Sequence, residues 1–279
     1  MKSVAALMTV HNRRESTLRC LTDLFCQVLP NDEYVLSVYM TDDGCSDGTP
    51  QLVKEKFPDV HILKGDGTLF WNMGMRKAWE EASKTGFDYY LWLNDDTYLF
   101  EGAVLRMLLA SADYDDRALL VGSTCSPEDN TKVTYGGWAA GKLITDISRP
   151  VRCDTMNGNV VLVPKTVFDI LGLNTTIFRH RGGDTDYGLR ANENGICVFT
   201  VPGIVGECAR HCSIPVWKDP SQPLSKRWKD FFSPTGANPF EFFRFRMLHY
   251  GLLPAGKTFI TNFIHVLFPF FWKTREEQQ

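Results

Sequence analysis

The chain has 279 residues, of which 44% are hydrophobic and 23% charged, and this composition is typical of a globular protein with a full core. The formal net charge of -3 gives no broad electrostatic footprint for nucleic acid, so we expect no nucleic-acid partner. The 8 cysteines are scattered without a C-x2-C pair, which favours reduced thiols in a cytoplasmic protein.

The first half of the chain alternates short apolar runs with helical patterns. The N-terminal run ends in polar residues without a small-residue cleavage site, so it predicts a first strand rather than a signal peptide. Asn12, with Glu15 three residues on, has capping-box spacing, and Thr49-Pro50 predicts a second helix start with the threonine at the cap. The predicted strands are residues 4–10, 35–40, 60–63, 89–93 and 118–122, and the later helices are 72–84 and 103–110.

Strands that alternate with helices predict an α/β fold with a mostly parallel central sheet covered by helices. In such sheets, ligands bind beyond the carboxyl ends of the strands, where the strand order reverses. Polar clusters follow three of the predicted strands, namely Thr9 with His11 and Asn12, Asp42-Asp43-Gly44, and Asn94-Asp95-Asp96. These clusters predict a binding site at one edge of the sheet.

The composition changes twice after this half. Residues 125–200 contain Gly-rich and β-branched stretches, and a helix is predicted over 184–193. From about residue 215, basic and aromatic residues mix, and residues 258–272 carry no Asp, Glu, Lys or Arg. That segment is too short to span a bilayer, which needs about 20 residues. It predicts either contact with a membrane surface or a helix packed on the domain or on a partner.

The strand that ends in Asp95-Asp96 gives the first chemical signal. Adjacent carboxylates after a buried strand repel one another, and a divalent cation shared with phosphate oxygens relieves this repulsion. The same pair also fits a helix cap. The pair therefore suggests a metal site without establishing one.

The next two strand ends suggest nucleotide binding. Asp43 lies in a glycine-containing turn, where a carboxylate can accept hydrogen bonds from a base or a ribose. Gly67 and Trp71 precede a helix that carries Arg76, and a helix start with a nearby cation favours pyrophosphate. An ordinary turn and a solvated helix face account for the same residues equally well.

Two acids and one histidine complete the candidate residues. Asp184 follows two glycines at a predicted helix start, where it could serve as a general base, whereas Asp186 points elsewhere on that helix. A simple acidic helix start fits the pattern as well. His211 is a candidate metal ligand, although a lone histidine is more often not one.

As a set, the motifs resemble the family-two inverting glycosyltransferases of the GT-A nucleotide-diphospho-sugar transferase fold. The matching stretches, over about residues 3–212, are LMTVHNR, VYMTDDGCSDGT, GDGTLFWNMGMRKAW, YLWLNDDTYL, MNGNVVLVPKTVFDILG and GGDTDYGLR. Each is weak alone, and the order and spacing carry the specificity. The third stretch resembles most the rhamnosyltransferase-like branch that builds bacterial capsules and O-antigens.

The resemblance implies roles for individual residues. Asp184 would be the catalytic base, and Asp96 with His211 would bind Mg²⁺ or Mn²⁺. The implied donor-binding residues are Thr9, His11, Asn12, Arg13, Asp43, Gly67, Trp71, Arg76 and Asp95. The implied acceptor-side residues are Trp138, Asn157, Gly158 and Asp186.

The chain departs from the family pattern at two positions. His11 stands where many members have tyrosine, and Gly183 replaces the usual acidic residue before the base. The second departure removes a neighbouring negative charge, so the pKa of Asp184 should be less perturbed than usual.

The resemblance also implies an organisation and partners. We expect a catalytic domain over 1–214, with a nucleotide-sugar half at 1–122 and an acceptor half at 123–214, followed by a helical extension over 215–279. The expected donor is a UDP- or dTDP-sugar, and the expected acceptor is a lipid-linked saccharide. The oligomeric state stays open. The alternatives are a nucleotidyltransferase, which the residues after the first strand disfavour, and a non-catalytic subunit that binds sugar nucleotide.

Overall fold

The structure is a computed structural model that describes residues 1–30, 33–210 and 214–271. The strands are β1 (Lys2–Val10), β2 (Tyr34–Asp42), β3 (His61–Lys64), β4 (Tyr89–Leu93), β5 (Tyr98–Leu99), β6 (Leu119–Ser126), β7 (Asp129–Tyr135), β8 (Gly137–Ala139), β9 (Lys142–Leu143), β10 (Thr155–Met156), β11 (Val160–Pro164) and β12 (Val198–Glu207). The α-helices are α1 (Arg14–Phe25), α2 (Thr49–Lys56), α3 (Phe70–Thr85), α4 (Ala103–Ala112), α5 (Lys165–Leu171), α6 (Gly183–Glu193), α7 (Leu224–Phe231), α8 (Pro239–Tyr250) and α9 (Leu252–Leu267). Short 3₁₀ helices lie at Val216–Lys218 and Pro269–Phe271.

The main sheet of the described residues has the strand order β3-β2-β1-β4-β11-β6-β12-β5, and β7 pairs with β6. The pairs β3-β2, β2-β1 and β1-β4 are parallel, as predicted for the first half. β11 inserts antiparallel between β4 and β6. Hydrophobic pattern does not encode strand direction, so the sequence could not predict this insertion. A second small sheet has the order β10-β8-β9.

Side chains of β1 alternate between two core layers because successive residues of a strand face opposite sides of the sheet. Val4, Ala6 and Met8 pack in one layer, with buried residues of α1, α2 and α4. Ala5 and Leu7 pack in the other, with buried residues of α3 and α6. The central strand is therefore covered on both faces, and the predicted site residues His11 and Asn12 follow its carboxyl end.

The predicted capping box at Asn12 is wrong. α1 begins at Arg14, and the side chain of Arg13, at the N-cap position, makes no capping hydrogen bond, while Asp47 Oδ2 accepts from the N–H of Arg14 at 3.1 Å. Asn12 adopts a positive φ of 51°, and its Oδ1 accepts instead from the backbone N–H of Ser46 at 2.7 Å. A contact with a neighbouring strand end thus replaces the local cap.

The second helix starts one residue earlier than the capping prediction implies. Gly48 is at the N-cap position of α2, and Thr49 is already helical, followed by Pro50. Asp47 Oδ1 accepts from the N–H of Thr49 at 3.0 Å and from its hydroxyl at 2.6 Å. An aspartate two residues before the threonine thereby supplies the acceptor at this helix start.

The chain divides into two compact units, each described by itself. The first comprises Met1–Thr176 and Gly182–Arg210 and contains both sheets. The second comprises Ile177–Arg181 and His211–Gln279, and its described part contains α7, α8 and α9. Trp217, Phe231 and Val266 form its buried core. No helix in the described ranges is long and apolar enough to cross a membrane.

Candidate active site

The carboxyl ends of β1, β2 and β4 meet at one edge of the sheet. Val10 pairs in register with Asp42, and Leu7 pairs with Trp92. The strand order reverses at β1, since β2 and β4 lie on its opposite sides. This is the point where a crevice forms in open α/β sheets. The three predicted polar clusters therefore lie together, as the strand pattern predicts.

Asp95 and Asp96, which follow β4, share one cation. Arg13 Nη1 donates to Asp95 Oδ1 at 3.1 Å and to Asp96 Oδ2 at 2.6 Å. Thr17 donates its hydroxyl to Asp95 Oδ2 at 3.4 Å. Burial raises the pKa of Asp95 to about 7, which Arg13 counteracts and the charge of Asp96 reinforces. The effect of burial on the pKa of Asp95 therefore outweighs that of the guanidinium.

Asp43 accepts three hydrogen bonds from the backbone that precedes α3. Its Oδ1 accepts from the N–H of Gly67 at 2.9 Å and of Leu69 at 3.2 Å, and its Oδ2 accepts from the N–H of Phe70 at 2.7 Å. The residue is 3% exposed. In this structure its carboxylate anchors a loop. His11, predicted beside it, lies 2.6 Å through Nδ1 from the Asp43 carbonyl oxygen.

The start of α3 connects this loop to β4. Trp71 Nε1 donates to Asn94 Oδ1 at 2.6 Å, although the sequence assigned no role to Asn94. Thr9, predicted as a base contact, donates its hydroxyl to Trp71 O at 3.3 Å and packs against Gly74. Arg76, predicted near phosphate, donates to the carbonyl of Asn174.

Asp184 lies where the sequence predicted it, in the first turn of α6, which begins at Gly183. Its Oδ2 accepts from the N–H of Gly158 at 3.0 Å, and its Oδ1 accepts from the N–H of Thr185 at 2.8 Å. Burial raises the pKa of Asp184, and the two backbone donors counteract this effect. A half-buried carboxylate with a raised pKa and fixed orientation suits a general base.

The predicted acceptor-side residues fall into two groups. Asn157 Oδ1 accepts from Trp138 Nε1 at 2.8 Å, so these two side chains form a half-buried pair. Asp186, by contrast, is 0% exposed, and its Oδ2 accepts from Arg190 Nε at 2.8 Å. Its carboxylate supports α6 from within the core. Nothing in the sequence indicated this burial beyond the four-residue spacing to an arginine.

The metal prediction rests on Asp96 and on His211, which lies outside the described residues. Within residues 1–30, 33–210 and 214–271, no group of three or more His, Cys, Asp or Glu side chains could hold a metal ion. Cys208 lies 3.9 Å through Sγ from Asp96 Oδ1, and burial raises its pKa to about 12. It is therefore a neutral thiol beside the acid, and nothing in the sequence indicated this proximity.

Comparison with known proteins now decides the family. The model of "Glycosyl transferase family 2" matches residues 5–165, more than half of the chain. The chain belongs to glycosyl transferase family 2. The matched region contains the strand ends of β1, β2 and β4 but stops before Asp184. The family therefore rests on the half of the site that carries Asp43, Asp95 and Asp96.

Among solved structures, this family member is similar to the mannosyltransferase PcManGT from Pyrobaculum calidifontis, which was solved in complex with GDP-Man and Mn²⁺. The TM-score is 0.58 at 16% identity, and the match covers 95% of this chain and 80% of the other. This likeness establishes the fold, and it confirms the predicted GT-A class with a C-terminal helical extension. No curated protein matches the chain.

Proposed function

We propose that this glycosyltransferase moves a sugar from a nucleotide-sugar donor to a hydroxyl of a saccharide acceptor with inversion at the anomeric carbon. The observation that carries the proposal is the Asp184 carboxylate. Backbone N–H groups orient it at a helix start, and burial raises its pKa. A group of this kind accepts the proton of an attacking hydroxyl in a single displacement.

In that displacement, the acceptor oxygen forms a bond to the anomeric carbon while the bond from that carbon to the diphosphate breaks. The hydroxyl proton moves to Asp184, and the nucleoside diphosphate leaves with the electron pair of the broken bond. Holding both substrates in register supplies much of the rate acceleration. Trp138 and Asn157, which form a hydrogen-bonded pair, are proposed to line the acceptor side.

The residues at the end of β4 fit a divalent cation. Asp95 and Asp96 place two carboxylates against one guanidinium, and burial raises the pKa of Asp95. Asp96 would hold Mg²⁺ or Mn²⁺, together with His211. A bound metal would stabilise the charge of the leaving diphosphate. Arg13 contributes a further positive charge at the same strand end.

We propose that the donor-binding residues predicted from the sequence contact the nucleotide sugar. Asp43 and the loop that it anchors, with His11 and Asn12, would form the nucleoside side. Gly67 precedes α3, and Trp71 and Arg76 lie within its first two turns. We propose a UDP- or dTDP-sugar as donor, and the GDP-Man bound by the solved neighbour adds GDP-sugars to the set worth testing.

The test is release of nucleoside diphosphate from a panel of UDP-, dTDP- and GDP-sugars, with Mn²⁺ or Mg²⁺ and then with EDTA. Metal-dependent release from one donor, abolished in Asp184→Asn but with nucleotide binding retained, supports the proposal. Undiminished transfer by Asp184→Asn overturns the base assignment. Nucleotide binding by the wild-type protein without turnover, with any acceptor, points to a non-catalytic subunit. Release of pyrophosphate from a sugar phosphate and a nucleoside triphosphate points to a nucleotidyltransferase.

We further propose that the acceptor is lipid-linked, within bacterial capsule, O-antigen or exopolysaccharide synthesis of the rhamnosyltransferase-like type, and that the protein works at the cytoplasmic face of the membrane. The support lies in α9. Leu253, Ile260, Ile264 and Leu267 recur at helical spacing, and they are 86%, 61%, 43% and 41% exposed. Lys257 belongs to the same stripe, and α9 carries no acidic residue.

An exposed apolar stripe with a cation and no acid matches a surface of anionic lipid headgroups. α8 adds exposed Phe240 and Leu248 and the cation Arg244. We expect the full chain to sediment with vesicles that contain phosphatidylglycerol, and we expect Ile260→Ser with Ile264→Ser to reduce this binding. Ile170→Ser, at a 62% exposed position of α5, is the matched control.

Removal of residues 256–279 should move the protein from the membrane fraction to the soluble fraction. Unchanged partitioning overturns the proposal. A dimer in light scattering that the α9 variant dissociates, without vesicle binding by the wild-type protein, assigns the stripe to a second copy of the chain instead.

A further inference from the structure

Trp71, near the start of α3, packs against Gly158, whose N–H donates to Asp184. A Cβ atom built on Gly158 would lie 2.6 Å from two ring carbons of Trp71 and 3.2 Å from the Cβ of Asp184. The N–H of Gly158 donates to Asp184 Oδ2 at 3.0 Å. Because the ring and the aspartate leave no room for a side chain between them, the position of the ring determines where this donor lies.

Asn72 packs in a similar way against Gly183, the residue that directly precedes Asp184. It is fully buried, and its side-chain oxygen occupies the space that a Cβ on Gly183 would need. Asn174 Nδ2 donates to this oxygen at 2.6 Å, and Asn72 Nδ2 donates to Thr175 O at 2.8 Å. Since Gly183 begins α6 directly before Asp184, Asn72 helps to set where that helix starts.

The nitrogen of the indole ring is hydrogen-bonded at the strand end of β4. Trp71 Nε1 donates to Asn94 Oδ1 at 2.6 Å, and the N–H of Asn94 donates to Asn159 O at 3.0 Å. Asn94 directly precedes Asp95, and Asn159 directly follows Gly158. The Trp71 ring therefore contacts both Asn94, at the strand end that leads into Asp95, and Gly158, whose N–H donates to the candidate base.

Asp43, on the proposed donor side, accepts hydrogen bonds from the backbone that precedes Trp71. Asp43 accepts from the N–H groups of Gly67, Leu69 and Phe70. Phe70 has a φ of 57°, a left-handed conformation that costs a non-glycine residue about 1–2 kcal/mol. The charge-assisted hydrogen bond from its N–H to Asp43 Oδ2 offsets this cost and fixes the direction in which Trp71 points.

We propose that Trp71 is a positioning residue for Asp184, and that the segment of residues 67–72 couples the donor-side carboxylate of Asp43 to the orientation of the base. The inference deepens the proposed function and rests on the role that it gives Asp184. Its consequence is that a donor which orders this segment also sets the hydrogen bond from Gly158 to Asp184, so donor binding and base orientation are linked.

The test follows the Gly158 N–H in the full chain labelled with ¹⁵N-glycine, where its amide resonance reports the ionisation of Asp184. Gly158→Ala assigns the resonance by removing it, and Asp184→Asn should abolish its titration. In Trp71→Phe the N–H loses its alignment, so the carboxylate loses a donor and its pKa rises. We expect the titration midpoint to move up by about 0.5–1 pH unit.

Trp71→Leu is the second variant, and Trp228→Phe, in α7 of the other unit, is the matched control. An unchanged or lower midpoint in the folded Trp71 variants overturns the proposal. In transfer assays, Trp71→Phe should lower kcat about tenfold while the donor KM stays within about threefold. A raised KM at unchanged kcat would assign Trp71 to donor binding alone and overturn the coupling.

These readouts separate the two proposals. Undiminished transfer by Asp184→Asn overturns the base assignment. The midpoint pH at which the Gly158 amide resonance shifts still reports whether Trp71 positions the Asp184 carboxylate. Loss of transfer in Asp184→Asn, with wild-type titration and kcat in both Trp71 variants, leaves the proposed function standing and overturns the coupling. Gly256→Ala, where an added Cβ meets nothing within 4 Å, controls for the glycine substitution itself.

Discussion

Arg13 Nη1 donates to Asp95 at 3.1 Å and to Asp96 at 2.6 Å, so a single guanidinium nitrogen bridges two consecutive carboxylates. Asp95 is 5% exposed, whereas Arg13 is exposed over about half of its side chain, 47%. The arrangement places two carboxyl groups against one cation at the strand end where the diphosphate and a metal are proposed to bind.

Removal of this guanidinium should destabilise the free protein. We expect Arg13→Ala to lower the free energy of unfolding by about 1–2 kcal/mol, because a buried carboxylate loses its cation. Thermal unfolding measures this effect, and Mn²⁺ should restore more stability to the variant than to the wild-type protein. Arg14→Ala, at the adjacent exposed position, is the control and should change stability by less than about 0.5 kcal/mol. Equal stability of both variants would contradict the prediction.

The raised pKa of Asp184 predicts how transfer depends on pH. A base must be deprotonated, so kcat should fall as the pH is lowered through a pKa above the value of about 3.9 for an ordinary aspartate. The direction follows from burial, which disfavours the charged form. Measurement of kcat and of donor affinity from pH 4 to 8 separates the base from donor binding. Transfer that rises as the pH falls would exclude Asp184 as the base.

The two acids of α6 should respond oppositely to substitution. Asp186→Ala leaves Arg190 without its buried partner, and we expect a loss of about 3–5 kcal/mol in the free energy of unfolding. Asp184→Asn removes a partly desolvated charge and should leave stability nearly unchanged while lowering kcat by about 10²–10⁴-fold. Chemical denaturation and kinetics on the same preparations check both statements. A stable Asp186→Ala protein would show that the ion pair is dispensable.

Asp43 should control the order of the loop before α3. Asp43→Ala leaves the N–H groups of Gly67, Leu69 and Phe70 without their acceptor. We expect faster amide hydrogen exchange over residues 65–72 and weaker nucleotide binding. Asp42→Ala, which removes an acceptor for the N–H of Cys45, is the neighbouring control. Unchanged exchange in that loop would show that other contacts hold it.

The sequence predicted the structure best where a local pattern of residues marks both a secondary-structure element and a site residue. The apolar run into Asp95-Asp96 predicted β4 and its carboxyl end, and the two glycines before Asp184 predicted the start of α6. The pairing of β11 with β4 and the contact of Cys208 with Asp96, 112 residues apart, depend on tertiary packing that no local period encodes. Asn12 failed as a cap for the same reason, since its partner Ser46 lies on the next strand end.

The Asp43 carboxylate accepts three hydrogen bonds from main-chain N–H groups of its loop, and every residue except proline possesses such a group. The exposed side chains of Asp66 and Thr68 take no part in those three bonds, but Asp66 Oδ1 accepts from the N–H of Thr68 at 2.8 Å and from its hydroxyl at 2.7 Å, which stabilises the same loop. Gly67 has a φ of 83°, and a Cβ added to Gly65 would lie 2.7 Å from Asp43 Oδ1, so both positions require glycine. A library that varies position 68 and keeps Asp66 would alter the chemistry beside the proposed nucleotide side while the main-chain bonds to Asp43 and Asp66 remain, which is a practical route to altered donor preference.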